Sequence, residues 1–221
     1  HMTPVILLTD GYLANSSEPW RFPKASTLKP IQPRIANSAT EDYQPYRRDA
    51  QEVRKWAIPG TPGLEHRLGG LEKEAVTGNV SYDPENHQEM VKTRARKVAK
   101  VADDIPATEL LQGPEEGPLL VLGWGNTYGA IKVAVGQALA QNMPVAQVHI
   151  DYINPLPKDL GALLAQYDRV LIPELNDGQL VRIIRDRYLV KAEVLDKIKG
   201  QPFLAEEILM EIKKLLAHEH H

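Results

Sequence analysis

The stretch Leu119-Leu120-Val121-Leu122-Gly123-Trp124-Gly125-Asn126-Thr127-Tyr128-Gly129-Ala130-Ile131 decides how this chain folds. Four consecutive apolar residues read as a buried strand. Gly123 and Gly125 then allow a tight turn, because a residue without Cβ reaches backbone angles closed to the others. Asn126 or Thr127 is placed to cap a helix, and Ile131, Val135, Ala138 and Leu139 repeat along one face of it. Strand, glycine turn and helix in that order are the seed of an open α/β sheet. Such a turn also leaves backbone N–H groups at a helix start, where an anion can sit. Glycines serve turns for purely conformational reasons too, so both readings stand at this point.

Toward the C-terminus the alternation continues. Pro144 precedes a strand over 145–150, and Asn154-Pro155-Leu156-Pro157 turns the chain into a short helix over 158–166. Val170-Leu171-Ile172 reads as the next strand. Asp177-Gly178-Gln179 opens a helix through Arg187, residues 192–198 form an edge strand, and 202–216 a closing helix. That helix carries Ile208, Ile212, Leu215 and Leu216 on one face, with Glu206 and Glu207 early and Lys213 and Lys214 late, as the helix dipole favours. The predicted class is α/β, a mostly parallel open sheet with helices on both faces.

In such a sheet, ligands gather at the carboxyl ends of the strands. Two loops qualify, and they supply the candidate cleft or interface residues: Gly123, Gly125, Asn126 and Thr127 in one, Glu174, Asn176 and Gln179 in the other. A carboxylate at 174 can orient a ligand or a partner domain. Alternatively Asn176 or Asp177 caps the following helix and Glu174 bonds the neighbouring loop. No Ser-His-Asp order, phosphate-loop lysine or metal-ligand cluster is present, so no catalytic or metal-binding residue is named. His218, His220 and His221 read as a tail or tag rather than a metal site.

Toward the N-terminus the character changes. Gln112-Gly113-Pro114-Glu115-Glu116-Gly117-Pro118 reads as a linker and domain boundary. Asp83-Pro84-Glu85 starts a helix, with Asp83 as N-cap and Pro84 in the first helical position, running to about Asp104. Met90, Val91, Ala95, Val98, Ala99 and Ala102 form its apolar stripe. Lys92, Arg94, Arg96, Lys97 and Lys100 form a basic cluster, read either as a solvated face or as a surface for an acidic or phosphate-bearing partner. Residues 15–79 are punctuated by Pro19, Pro23, Pro30, Pro33, Pro45, Pro59 and Pro62, and only Arg47–Trp56 is predicted to be a short helix. Trp20, Tyr43, Tyr46 and Trp56 make this a strap that buries against something rather than a tether. His66 beside Glu65 lies in a dense turn cluster and reads as a solvated histidine. Val5-Ile6-Leu7-Leu8 reads as a buried strand closed by Thr9-Asp10-Gly11.

The 221 residues are 43% hydrophobic and 25% charged, which suits a globular protein with a real core. A net charge of −3 argues against nucleic-acid or membrane binding by the whole chain. The absence of cysteine excludes disulfides, zinc–thiolate sites and cysteine-ligated iron–sulfur clusters within it, and fits a cytoplasmic location. No apolar run approaches the roughly 20 residues of a membrane span. His1-Met2 reads as a cloning remnant, and the expectation is that this is a piece of a longer protein.

Several long motifs carry a family resemblance. Pro4–Asn15 (PVILLTDGYLAN), Trp56–Arg67 (WAIPGTPGLEHR), Asn79–Pro84 (NVSYDP), Gly123–Gly129 (GWGNTYG), Asn154–Pro157 (NPLP) and Pro173–Leu180 (PELNDGQL) together resemble the alpha subunit of 2-oxoacid:ferredoxin oxidoreductases, the 2-oxoglutarate type in particular. The resemblance spans nearly the whole chain. It implies oxidative decarboxylation of a 2-oxoacid to an acyl-coenzyme A, with ferredoxin as electron acceptor. The assembled enzyme would use thiamine diphosphate, magnesium, an iron–sulfur cluster and coenzyme A, with the diphosphate, magnesium and cluster ligands on the beta subunit and none in this chain.

By the same resemblance, residues 1–15 would end a truncated pyrimidine-side thiamine domain, and 16–117 would be a connecting arm and helix. Residues 118–217 would be a domain similar to the transketolase C-terminal domain, and 218–221 a tail. The implied partners are the beta subunit, ferredoxin through the complex, and a second alpha subunit. The chain alone would be catalytically inert, with a structural and assembly role. A standalone nucleotide- or anion-binding module built on Gly123–Thr127 is the competing expectation.

Overall fold

The computed structural model describes residues 1–37 and 42–217, and His218, His220 and His221 lie outside that range. The chain divides into two compact units, one of residues 1–6 with 19–104, the other of residues 7–18 with 105–221.

The second unit carries the sheet. Its five strands are β1 (Leu110–Gln112), β2 (Gly117–Trp124), β3 (Val145–Ile150), β4 (Tyr167–Glu174) and β5 (Ala192–Asp196), in the spatial order β1-β3-β2-β4-β5. β2, β3, β4 and β5 are parallel, and β1 runs antiparallel along β3. The α/β class and the helices on both faces are as the sequence predicts. Alternation does the sorting. Leu120 and Leu122 of β2 point into one apolar layer with Leu160, Leu164, Leu180 and Ile184, while Leu119 and Val121 point into the opposite layer with Ile131, Val135, Ile208 and Ile212. The helices are those predicted, three crossovers at Tyr128–Ala140, Leu160–Leu164 (shorter than expected) and Gln179–Tyr188, and the closing helix at Ala205–Ala217.

β1 is a correction. Gln112 was expected in a linker but lies in a strand, and its side-chain Nε2 donates to the fully buried Gln147 Oε1 at 2.6 Å and to the Lys132 carbonyl at 2.9 Å. A three-residue edge strand with glycine directly after it carries too little periodicity to be read locally. Val5–Leu8 is a second correction. These residues form no strand and are exposed, with Val5 at 90%. An apolar run makes a strand only when a free edge is available to pair with it. The short helix Gly11–Asn15 follows, capped by Asp10, whose Oδ1 accepts from Tyr12 N at 2.7 Å.

The first unit holds the predicted long helix at Pro84–Ala99, with Asp83 Oδ1 accepting from Glu85 N at 3.0 Å and a 3-10 turn continuing it to Asp103. Arg47–Trp56 is not helical. Asp49 Oδ1 accepts from Gln51 N (2.9 Å) and Val53 N (3.0 Å), so an Asx turn takes the N–H groups that a helix would use, and Arg48 and Arg54 pair antiparallel across it. The buried apolar set is small: Ala36, Pro45, Val53, Leu64, Met90 and Ala102. Of the aromatics expected to bury, Trp20 is 73% exposed, its ring tilted against Phe22 with centroids 5.0 Å apart. Tyr46 does become a hub. The basic cluster is largely spent inside the unit. Arg94 pairs with Glu72 (3.3 Å), Arg96 with Glu52 (2.8 Å) and Glu89 (2.7 Å), and Lys97 and Lys100 donate to the carbonyls of Met2 and Ala50.

Candidate functional site

The strand order places the candidate loops at a topological switch point. The helix that follows β2 packs on one face of the sheet and the helix that follows β4 on the other, so their loops part at the carboxyl ends of adjacent strands. The ladder itself opens there. β2 pairs with β3 as far as Trp124↔Ile150, and β4 with β5 as far as Glu174↔Asp196, but β2 and β4 pair only as far as Val121↔Leu171. The ladder thus leaves a notch between the ends of β2 and β4, and the loops that follow these two strands, 123–127 and 174–179, carry the seven residues singled out from sequence.

Each loop is held from within. Gly123 is required by close approach, since a Cβ there would lie 2.7 Å from Ile131 Cδ1 and 2.8 Å from His149 Nδ1. Gly125 adopts φ +58°, where side-chain-bearing residues are strained. Thr127 is buried, and its Oγ1 donates to the Trp124 carbonyl at 2.8 Å and accepts from Trp124 N at 3.3 Å. That bond closes the 3-10 turn Gly125–Thr127 ahead of the helix, so the cap forms one turn earlier than predicted, and Asn126 takes no part in it.

On the other loop, Glu174 is 0% exposed, and its two carboxylate oxygens accept from Leu180 N (2.9 Å) and Val181 N (2.8 Å). Asn176 Oδ1 accepts from Gln179 N at 2.8 Å. Asn176 caps the helix as the second reading expected, but Glu174, expected to bond the neighbouring loop, caps the helix as well. Charge-assisted bonds to the first turn of a helix satisfy its open N–H groups and favour a buried carboxylate. Asp177 remains at the surface, paired with Arg182 at 3.0 Å.

One residue at the notch was not singled out from sequence. His149 is register-paired with Gly123, and its Nδ1 is buried with no partner among the described residues. The Tyr128 ring meets it edge-on at 5.2 Å, and Lys132 lies 5.6 Å over that same ring. Burial lowers the pKa of His149, and Asp151 opposes part of that shift. The available signal was a histidine in the last positions of a buried parallel strand, Val145–Ile150. His66, by contrast, is exposed, as expected, with its Nδ1 at 2.7 Å from the Leu64 carbonyl oxygen and its ring 5.5 Å from that of Tyr43.

The notch can position, but among the described residues no hydrogen bond there pairs a nucleophile with a base. The sequence has no cysteine for an iron–sulfur cluster, and among the described residues no three His, Asp or Glu converge as a metal-ligand set. The donor set does not fit a resident cluster or divalent ion. Among the described residues, no helix is long and apolar enough to cross a membrane.

No family model matches the chain. It is 45% identical over 216 residues, 97% of its length, to 2-oxoglutarate oxidoreductase subunit KorA of Mycobacterium tuberculosis. It is 25% identical over 215 residues to the alpha subunit of 2-oxoacid:ferredoxin oxidoreductase 1 of Aeropyrum pernix. Among solved structures it matches 2-oxoglutarate:ferredoxin oxidoreductase of Magnetococcus marinus, determined with 2-oxoglutarate, coenzyme A and succinyl-CoA bound, at a TM-score of 0.81 and 28% identity over 88% of the chain. The chain spans 33% of the length of each curated relative and 34% of the solved one.

Proposed function

We propose that this chain is the C-terminal region of the alpha subunit of a 2-oxoglutarate:ferredoxin oxidoreductase, and that its own role is to complete the assembly rather than to carry a chemical step. The 45% identity over 97% of the chain supports this reading most directly. The whole enzyme would convert 2-oxoglutarate and coenzyme A to succinyl-CoA and carbon dioxide, with the electron pair passing to ferredoxin. Bound thiamine diphosphate would supply the decarboxylation chemistry in the assembly, with magnesium and the iron–sulfur cluster held by the beta subunit. This chain's residues would shape a surface for that subunit. Residues 105–217, β1 included, would form the transketolase C-terminal-like domain, with the strap and long helix before it the arm leading from an upstream thiamine domain. The switch-point notch would border the interface or the active-site cleft, with Thr127, Glu174 and Asn176 keeping its two loops rigid and Gly123, Gly125, Asn126 and Gln179 shaping its rim. Alpha-subunit pairing and a cytoplasmic location complete the proposal.

The test is a reconstitution. The purified chain should show no 2-oxoglutarate-dependent, coenzyme A-dependent dye reduction by itself. It should be retained by an immobilised beta subunit, and should restore dye reduction to a beta subunit and an alpha subunit lacking this region. Turnover by the lone chain, or failure of both retention and restoration, would overturn the reading.

A further inference from the structure

Outside the notch, the first unit contains a basin of about 380 Å³ that the proposed function does not use. Arg48, Arg54, Lys73 and Arg94 line it around Tyr46, and Glu72 is the acidic residue in its wall. Arg54 lies 4.8 Å from the centre of the Tyr46 ring, Arg48 at 5.5 Å and Lys73 at 6.0 Å, so one aromatic ring gathers three cations. Glu72 does not neutralise them. Its two oxygens are engaged by Arg94 at 3.3 Å and His87 at 2.7 Å. Among the described residues, Arg48, Arg54 and Lys73 have no carboxylate within ion-pair distance, and each instead donates to a backbone carbonyl, of Tyr46, Pro45 and Leu71 respectively.

Among the residues lining the basin, four cations face one carboxylate, a positive surplus in which Arg48, Arg54 and Lys73 are partly buried. Proteins concentrate like charge in this way at a cost, because each guanidinium loses water and repels the next. Both effects register at Arg48, whose pKa is lowered, first by burial and then by Arg54 and Arg94, against the opposing pull of Glu52 and Tyr46. A bound anion removes the repulsion. The donors also suit its shape, since Arg forks match the oxygens of a tetrahedral phosphoryl group and Lys adds a point charge. A single carboxylate would leave most of the surplus uncompensated.

The geometry points to a binding site for a multiply charged phosphoryl group carried by a small soluble molecule, centred on Arg48, Arg54 and Lys73. This site is separate from the switch-point notch and does not depend on the oxidoreductase reading. Isothermal titration of the full chain at about 20 mM salt tests it, where exposed charges are least screened. Inorganic pyrophosphate should bind saturably, inorganic phosphate more weakly, and acetate not at all. Arg48→Gln and Lys73→Gln should each weaken pyrophosphate by about tenfold, the loss of one charge-assisted contact. Lys73→Gln should do so with an unchanged urea midpoint, and Arg182→Gln, in the other unit, should change nothing. No saturable pyrophosphate binding, equal weakening by Arg182→Gln, or an acidic hexapeptide binding more tightly than pyrophosphate would overturn the assignment, the last in favour of a protein partner's carboxylates.

Discussion

The two units of this chain are stabilised by different means. In the sheet unit, alternate residues of β2 and β4 enter two separate apolar layers, and Leu120, Val121, Leu171, Ile172, Ile131 and Ile208 are fully buried. Among the described residues of the other unit, the buried apolar set is short, Ala36, Pro45, Val53, Leu64, Met90 and Ala102, and polar contacts link the strap to the helix. Arg96, Lys97 and Lys100 reach across to Glu52, Met2 and Ala50, and Asn86 brackets the strap by donating to the Lys73 carbonyl and accepting from Ala75 N. Exposed ion pairs individually contribute little, so a unit that relies on them responds to pH and salt, whereas a packed sheet responds to lost volume.

The largest expected effect breaks the packed side. Leu171→Ala, in the middle of β4, should cost about 2–5 kcal/mol in urea unfolding, through lost transfer energy plus a cavity. Met90→Ala in the other unit should cost less, because its surroundings are sparser and collapse more readily. Equal losses would erase the contrast.

Glu174→Ala comes next. It leaves two helix N–H groups buried without acceptors and should cost about 2–4 kcal/mol. Glu174→Gln keeps one acceptor oxygen and should recover about half. Under the proposed function, both should lower retention on the beta subunit in proportion to the stability lost.

Gly78→Ala probes the Tyr46 hub. Gly78 has φ +73°, and a Cβ there would lie 2.7 Å from Tyr46 Cδ2. The expected cost is about 1–2 kcal/mol, read as earlier thermal unfolding of the first unit with the sheet transition unmoved.

The smallest effects are those of pH. The hydrogen bonds of Glu72 with His87 and Arg94 lower its pKa from 4.5 to about 2. A depressed carboxyl contributes stability above its unfolded value, and that contribution is lost as pH falls from 4.5 toward 2. Tryptophan fluorescence of the first unit should report a transition in that window, and Glu72→Gln should abolish the part that titrates. His149 in the sheet unit is depressed from 6.5 by burial, so the fold favours its neutral form. Stability should be full above pH 6.5 and fall as the pH drops below it, and His149→Gln should remove that slope.

The legible part of the chain is the part with a period. Leu119–Leu122 and Val170–Ile172 are apolar runs, Val145–Ile150 is apolar but for Gln147 and His149, each ends at a glycine, proline or aspartate, and each became a parallel strand. The two notch loops were legible because glycine and cap residues follow those runs directly. β1 was not, because three residues on a sheet edge are recruited by Gln147 and Val148 across the ladder rather than by their own pattern. The Asx turn at Asp49 replaced a predicted helix for a local reason, since one side-chain oxygen captured two backbone N–H groups.

Sequence alone determined the α/β alternation, the helix caps at Asp83 and the 174–179 loop, the absence of thiolate chemistry, and the family resemblance. Each follows from residue type and spacing along the chain. Only the tertiary structure decided that the β2–β4 ladder opens at Val121 and Leu171, that Glu174 is buried with both oxygens engaged, that His149 faces Gly123, and that Arg48, Arg54 and Lys73 converge on Tyr46. The physical reason is range. Caps and hydrophobic periods act over a few residues, but burial, charge crowding and strand register depend on segments far apart in sequence meeting in space.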